Sequence, residues 1–120
     1  LTPKDRAALA EYIAAIQDRF PERILDVILF GSKARGDADA ESDIDLLVVV
    51  DVQNIEDRGF SEVRSELWRI ASEVSLRHDV VISSRVFDQG RWAKAKRMRL
   101  PLYRAIVADG ISLLPEPLAM

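Results

Sequence analysis

Two aspartates at the start of an apolar stretch are the residues of this chain most suited to chemistry. Asp43 and Asp45 directly precede the run Leu46 to Val50. A strand turns every second side chain to the same face, so both carboxylates are expected on one face, roughly 6–7 Å apart. Paired carboxylates beside a buried strand are costly unless a cation lies between them, and oxygen ligands favour Mg²⁺ or Mn²⁺ over zinc. The spacing therefore predicts a divalent metal site.

A glycine–serine pair upstream of the aspartates is suited to holding phosphate. Gly31 and Ser32 follow an apolar strand that ends at Phe30. Glycine lets the backbone approach a ligand, and Ser32 is predicted to cap a short helix whose free N–H groups attract an anion. Arg35, just after this turn, is suited to binding a phosphate or anchoring an aspartate, with a solvent-facing role as the alternative. Together with the metal site, Gly31 and Ser32 predict a pocket for the β- and γ-phosphates of a nucleoside triphosphate.

The elements that must position these residues can be read from hydrophobic periodicity and from helix-start and helix-stop signals. They predict a helix from Thr2 to Phe20, strands over 23–30 and 42–50, a loop over 51–57, a long amphipathic helix ending near His78, a strand over 79–84, helices within 86–98 and from Pro101 to Gly110, and a short edge strand over 111–114. Pro115 and Pro117 are predicted to stop regular structure. This order predicts an α+β domain with two layers, in which helices pack on one side of a mixed sheet.

Length and composition bound the kind of protein. The 120 residues are enough for one domain, 1–120, and the 48% of apolar and 31% of charged residues are typical of an ordinary globular protein. The net charge of −3 offers no overall attraction to nucleic acid or acidic membranes. With no cysteine and a single histidine, His78, thiolate and histidine-cluster metal sites are excluded. No apolar run reaches membrane-spanning length, and this composition is compatible with the cytoplasm.

The whole string around the aspartates resembles a known signature. Gly31-Ser32, ten residues and then Asp43-x-Asp45 are similar to the motif of the polymerase-beta-type nucleotidyltransferases, and the chain is more narrowly similar to the minimal nucleotidyltransferases. The segment from Pro101 to Ile111 also resembles the end of such proteins. The resemblance implies the polymerase-beta-like nucleotidyltransferase fold, with Mg²⁺ or Mn²⁺ as cofactor and ATP or another nucleoside triphosphate as donor.

Members of this family usually place a third acid on a neighbouring strand, which for this chain implies Asp79. Asp79 opens an apolar segment in the same way that Asp43 does, and it is suited to act as a general base or a further metal ligand. A turn aspartate between helix and strand is the alternative. Asp51 shares the strand face of the pair but lies roughly 20 Å away, which is too far.

The resemblance also implies a reaction and an acceptor. A hydroxyl would attack the α-phosphorus of the triphosphate, leaving a nucleotide, expected to be AMP, on the acceptor. A domain this small is expected to use a protein acceptor, and the family implies an antitoxin that transfers AMP to a tyrosine of an HEPN-type toxin. The alternative is a non-catalytic nucleotide-binding antitoxin or partner subunit. Oligomerisation with a second copy stays open.

A run of cations near the end of the chain has two interpretations. Between Arg91 and Arg104 six lysines and arginines occur without an acid. Such a run is suited to a phosphate-rich substrate or an acidic partner, but it is also typical of a solvated helix face.

Overall fold

The elements follow the predicted order, including the short helix after the first strand. The computed structural model describes residues 1–39, 42–52 and 57–114. The elements are α1 (Pro3–Arg19), β1 (Ile24–Phe30), α2 (Ser32–Arg35), β2 (Ile44–Val50), α3 (Asp57–His78), β3 (Ile82–Asp88), α4 (Gln89–Arg97), α5 (Pro101–Asp109) and β4 (Ile111–Ser112). The predicted loop at 51–57 falls partly on residues 53–56, which lie outside the described residues, as do Pro115 and Pro117.

The four strands form one mixed sheet in the order β3-β2-β1-β4. Strand β1 runs antiparallel to β2 and β4, whereas β2 and β3 are parallel. Phe30, the last residue of β1, pairs with Asp45 in β2. This register places the Gly31-Ser32 turn beside the aspartates, and the predicted α+β class with a mixed sheet is confirmed.

Alternation along the central strand divides the core between the two faces of the sheet. Ile44, Leu46, Val48 and Val50 pack with apolar residues of α1 and α3. Leu47 and Val49 face the other way and pack with Trp92 of α4 and Ile106 of α5. Helices α1 and α3 therefore occupy one side as expected, while α4 and α5 cover part of the opposite face. Asp45 lies on this second face because it is two residues before Leu47.

The third strand begins later than predicted and extends further. Its bounds are Ile82–Asp88 rather than 79–84. Asp79 has a positive φ of 54°, and the Val80 N–H bonds back to the Ser75 carbonyl at 3.1 Å, so this segment closes the end of α3. Polar residues such as Arg85 belong to β3 because it is an edge strand with one partly exposed face. Among the described helices, none has the length and apolarity that crossing a bilayer requires.

Candidate active site

The carboxylate of Asp45 lies directly against the backbone of Gly31. A β-carbon added to Gly31 would stand 2.5 Å from Asp45 Oδ2, which is closer than non-bonded atoms approach. Gly31 also has a φ of +78°, a conformation that side chains with a β-carbon rarely adopt. The two halves of the predicted site are therefore in contact, and only glycine fits between them.

Asp43 and Asp45 lie on one face of the sheet, and their carboxylates interact electrostatically. Asp43 is exposed just before β2, whereas Asp45 is partly buried. Burial raises the pKa of Asp45, and the neighbouring Asp43 carboxylate raises it further, while Arg85 and Arg35 act in the opposite direction. Two adjacent carboxylates, of which Asp45 has a raised pKa, are a site where a bound cation would relieve repulsion.

The turn after Gly31 leaves backbone donors free beside this pair. Ser32 is the first residue of α2, and the cap position belongs to Gly31 rather than to Ser32 as predicted. The Gly31 carbonyl accepts from Ala34 and Arg35, but the N–H groups of Ser32 and Lys33 find no acceptor in the described part of the chain. These amides are available to an anionic oxygen.

Arg35 connects the turn to the end of α5. Its Nε donates to Asp37 Oδ2 at 3.1 Å, and its Nη1 donates to Asp109 Oδ2 at 3.4 Å. Both acids raise the pKa of the Arg35 guanidinium. Arg35 does not bond either site aspartate, although its charge acts on Asp45. A phosphate would have to compete with the exposed Asp37 carboxylate and the partly buried Asp109 carboxylate for this side chain.

Lys33, which follows Ser32, points away from the site and anchors the turn. Its Nζ donates to Asp5 Oδ2 at 2.8 Å, and both side chains are almost fully buried. The same oxygen of Asp5 accepts from the Thr2 N–H at 2.9 Å, as part of the predicted cap of α1. Burial acts to raise the pKa of Asp5, but the bonds from Lys33 and Thr2 outweigh it and the pKa is lowered. The Gly31-Ser32 turn is thus fixed to the first helix.

Arg85 is a site residue that the sequence reading missed. Asp45 pairs with Ser83 in the parallel ladder, and Arg85 comes two residues later on the same face. Its charge lowers the pKa of Asp45. The sequence signal for Arg85 was the alternation along β3, in which Ser83 and Arg85 are more exposed than Ile82, Ser84 and Val86. This alternation can be recognised only when the strand is known to extend past residue 84.

Asp79 is not brought to the aspartate pair. Its side chain is 96% exposed and lies 3.5 Å from Lys4 Nζ in α1, and the Asp79 carbonyl accepts from the same ammonium group. The ladder with β2 begins only at Val81, whose carbonyl accepts from the Ile44 N–H at 2.8 Å. Its role as the third carboxylate therefore stays a prediction, and this geometry does not favour it.

The donor set is nevertheless suited to a hard divalent cation. Asp43 and Asp45 supply carboxylate oxygens on one face. Burial, and then the neighbouring Asp43 charge, raise the pKa of Asp45, which accepts no hydrogen bond from a cationic side chain of the described residues. No cluster of three or more acidic, histidine or cysteine side chains able to hold a metal occurs among residues 1–39, 42–52 and 57–114. Mg²⁺ commonly binds to one or two carboxylates and completes its shell with substrate phosphates and water, so the pair fits this ion.

The mixed sheet, the glycine–serine turn and the aspartate pair are those of a nucleotidyltransferase. Residues 9–102 match the nucleotidyltransferase domain family, and the chain belongs to that family. This match confirms the resemblance stated from the Gly31-Ser32 and Asp43-x-Asp45 motif.

Individual relatives agree with this assignment. The chain is 48% identical over 106 residues to "Putative protein adenylyltransferase MJ0604" of Methanocaldococcus jannaschii, covering 88% of this chain and 94% of that protein. A crystal structure described as "a putative nucleotidyltransferase" from Sulfolobus solfataricus superposes with a TM-score of 0.56 at 22% identity, covering 90% of this chain and 78% of the other. A crystal structure of a toxin–antitoxin with AMP-PNP gives a TM-score of 0.50 at 17% identity, covering 97% of this chain and 76% of that one. At these low identities the two structures establish the fold.

Proposed function

We propose that this nucleotidyltransferase uses a divalent metal to transfer AMP from ATP to a hydroxyl group of a protein. The contact between Asp45 and Gly31 is the observation that carries the proposal, because it joins a carboxylate suited to binding a metal to a turn whose Ser32 and Lys33 amides have no acceptor among the described residues. The name of the Methanocaldococcus relative supports adenylyl transfer to protein, and the AMP-PNP complex supports an adenine nucleotide as donor. The toxin–antitoxin context of that complex supports a protein partner, and the HEPN-type toxin as acceptor is our proposal from the resemblance to minimal nucleotidyltransferases.

Each residue of the site has a distinct task in this proposal. Asp43 and Asp45 would hold Mg²⁺, which when bound supplies charge neutralisation to the triphosphate. The amides of Ser32 and Lys33 would receive phosphate oxygens, and Gly31 keeps the backbone close enough for them to do so. The guanidinium of Arg85 would stabilise negative charge on the transferred group or on the departing pyrophosphate.

An observation also favours the non-catalytic alternative. Only two carboxylates meet at the site within the described residues, since Asp79 bonds Lys4 instead. A chain that binds ATP without transferring its nucleotide would act as a nucleotide-binding partner subunit.

Labelled ATP separates the two functions. The protein is incubated with Mg²⁺, a cell lysate and ATP labelled at either the α- or the γ-phosphate. Adenylyl transfer predicts that adding the protein brings new protein-bound label from α-labelled ATP but none from γ-labelled ATP, compared with the same lysate alone. This label should depend on Mg²⁺ and be absent with Asp43→Asn/Asp45→Asn. New label from γ-labelled ATP that depends on the added protein would indicate phosphorylation and contradict the proposal. ATP binding with no label on any protein would support the partner subunit.

A further inference from the structure

A groove of about 450 Å³ lies along the exposed edge of the sheet, next to the active site. We name it the edge groove and define it by Arg64 and Trp68 of α3, Arg85 and Val86 of β3, and Arg91 of α4. Leu100, just before α5, and Pro101 and Leu102 in the first turn of α5 complete its apolar lining. Trp68 is 47% exposed, so its ring is a large apolar surface open to solvent.

The charges in the edge groove have one sign. Three arginines line it, and no aspartate or glutamate of the described chain does. Elsewhere, exposed arginines bond carboxylates, as Arg69 bonds Glu66 and Arg77 bonds Glu11. No ion pair with a carboxylate of the described residues is found for the groove arginines. The groove is therefore a concave cationic surface in a chain of net charge −3.

Aromatic rings hold two of these arginines in place while leaving their hydrogen-bonding groups unused. The Arg64 guanidinium lies 5.1 Å from the centre of the Trp68 ring, and that of Arg91 lies 3.9 Å from the centre of the Phe87 ring. The Nε of Arg64 is buried and has no hydrogen-bond partner in the described part of the structure. Guanidinium groups stacked in this way are pre-oriented to bind carboxylate or phosphate.

Strand pairing along this edge is restricted by side chains of α3. The Ile82 N–H donates to Ser75 Oγ at 3.0 Å, and the Ser84 carbonyl accepts from Trp68 Nε1 at 3.1 Å. Because α3 side chains already bond these two backbone groups, a partner strand could not pair with them. A partner would consequently be recognised by its side chains, through charge and apolar contact.

The edge groove is continuous with the active site through Arg85. This residue lines the groove and also acts electrostatically on Asp45. A molecule lying in the groove would thus come close to the aspartate pair. Neither Arg64 nor Arg91 is among the groups that influence Asp45, so both can be changed without touching the proposed metal site.

We propose that the edge groove docks an acidic polypeptide segment with apolar side chains, and that this segment belongs to the protein that receives the nucleotide. The inference rests on the proposed function, since it places the acceptor beside the transfer site. Carboxylates of the segment bind the three arginines, and its apolar side chains cover Trp68 and the leucines. A long nucleic acid fits less well, because all 20 acidic residues lie outside the basic run from Arg91 to Arg104 and make the remaining surface repulsive.

The test uses a fluorescein-labelled random copolymer of glutamate and tyrosine as the acidic probe. Its binding is measured by fluorescence anisotropy with EDTA and without nucleotide, so that no transfer occurs. Arg64→Gln/Arg91→Gln is compared with Lys94→Gln/Arg97→Gln, which makes the same change in net charge on exposed residues outside the groove. We expect the groove variant to raise Kd about tenfold and the control variant to change it less than about twofold.

Thermal unfolding shows whether both variants are folded, and Arg64→Lys/Arg91→Lys keeps the charge should the glutamine variant unfold. That lysine variant is expected to weaken binding because it removes the stacked planar fork. Equal losses in the groove and control variants, or no saturable binding by the unmodified chain, would overturn the proposal. Tighter binding of an oligouridylate of equal charge, lost in the groove variant, would overturn it in favour of nucleic acid.

The docking proposal and the proposed function can fail separately. Groove-dependent copolymer binding without nucleotide transfer to any protein supports the docking of an acidic segment, and it contradicts both catalysis and the assignment of that segment to an acceptor. Transfer to a protein at an unchanged kcat/KM in the groove variant supports catalysis and overturns docking.

Discussion

Asp45 Oδ2 stands 2.5 Å from the position that a β-carbon on Gly31 would occupy. The carboxylate at the start of β2 and the turn at the end of β1 are thus packed without space for a methyl group. This contact couples the proposed metal site to the proposed phosphate site, so a change in one is expected to disturb the other.

Replacing Gly31 by alanine tests this coupling. We expect Gly31→Ala to reduce nucleotide transfer at least about a hundredfold, since the added methyl group must displace the Asp45 carboxylate. Stability should fall by about 2–4 kcal/mol, from the positive φ and the overlap together. Transfer assays and urea unfolding measure the two effects.

Gly36 provides a control for a positive φ, because its φ is +80° and nothing lies within 4 Å of an added β-carbon. Its ψ of 12° belongs to the left-handed helical region, whereas Gly31 has a ψ of −158°. Gly36→Ala should cost only about 1–2 kcal/mol and leave most activity intact. Equal loss of activity in both variants would show that backbone strain, rather than the contact with Asp45, is responsible.

Asp45→Asn is expected to abolish transfer while stabilising the metal-free protein. The pKa of Asp45 is raised by burial and by Asp43, so the folded state binds its proton more tightly than the unfolded state does. The stability linked to this group is therefore present at low pH and lost as the pH rises through the raised pKa. An asparagine at this position has no charge to bury, so this loss of stability at neutral pH does not occur. The melting temperature of Asp45→Asn in EDTA at neutral pH should therefore exceed that of the unmodified chain.

Addition of Mg²⁺ completes this experiment. The ion should raise the melting temperature of the unmodified chain, and this effect should weaken as acidification protonates Asp45. Asp45→Asn should show little response. A melting temperature that falls in Asp45→Asn without metal would contradict the electrostatic account of this residue.

The buried ion pair between Lys33 and Asp5 should stabilise the protein by fixing the Gly31-Ser32 turn to α1. Lys33→Met leaves the Asp5 carboxylate buried without its ammonium partner, and we expect a loss of about 3–5 kcal/mol. Lys33→Met/Asp5→Leu should recover part of that loss, although it also removes the Asp5 contribution to the cap of α1. Urea unfolding of the two variants at neutral pH measures their free energies of unfolding, and the double variant should be the more stable of the two.

The ion pair between Lys33 and Asp5 also predicts how the free energy of unfolding changes at acidic pH. Because the pKa of Asp5 is lowered in the folded state, its contribution is present above the unfolded value of about 4 and is lost as the pH falls towards the folded value. The double variant should lose less stability over this range than the unmodified chain. A parallel decrease in both would show that other carboxylates dominate the acid response.

Asp79→Asn tests the third-carboxylate role directly. The side chain is exposed and bonded to Lys4, so we expect kcat/KM to change less than about threefold, as for loss of a surface ion pair. Asp43→Asn, measured in parallel, should reduce it at least about a hundredfold. A loss at Asp79 comparable with that at Asp43 would establish it as a catalytic residue and would require the end of α3 to approach the pair.

The sequence by itself determined the features that depend on neighbours along the chain. The period of two along Asp43 to Val50 placed both aspartates on one face, and the order of apolar segments indicated the elements of the mixed sheet. The motif from Gly31 to Asp45 was sufficient for the family. Such features are set locally, because side-chain alternation and turn chemistry extend over only a few residues.

The tertiary structure decided what depends on segments distant in sequence. Strand register brought Arg85 rather than Asp79 into line with Asp45. The ion pair between α2 and α1 made Lys33, which follows the Gly31-Ser32 turn, the buried partner of Asp5. In both cases the partner of the side chain depends on which long-range pairing satisfies buried charges and backbone groups. The sequence of a single strand or helix does not determine that pairing.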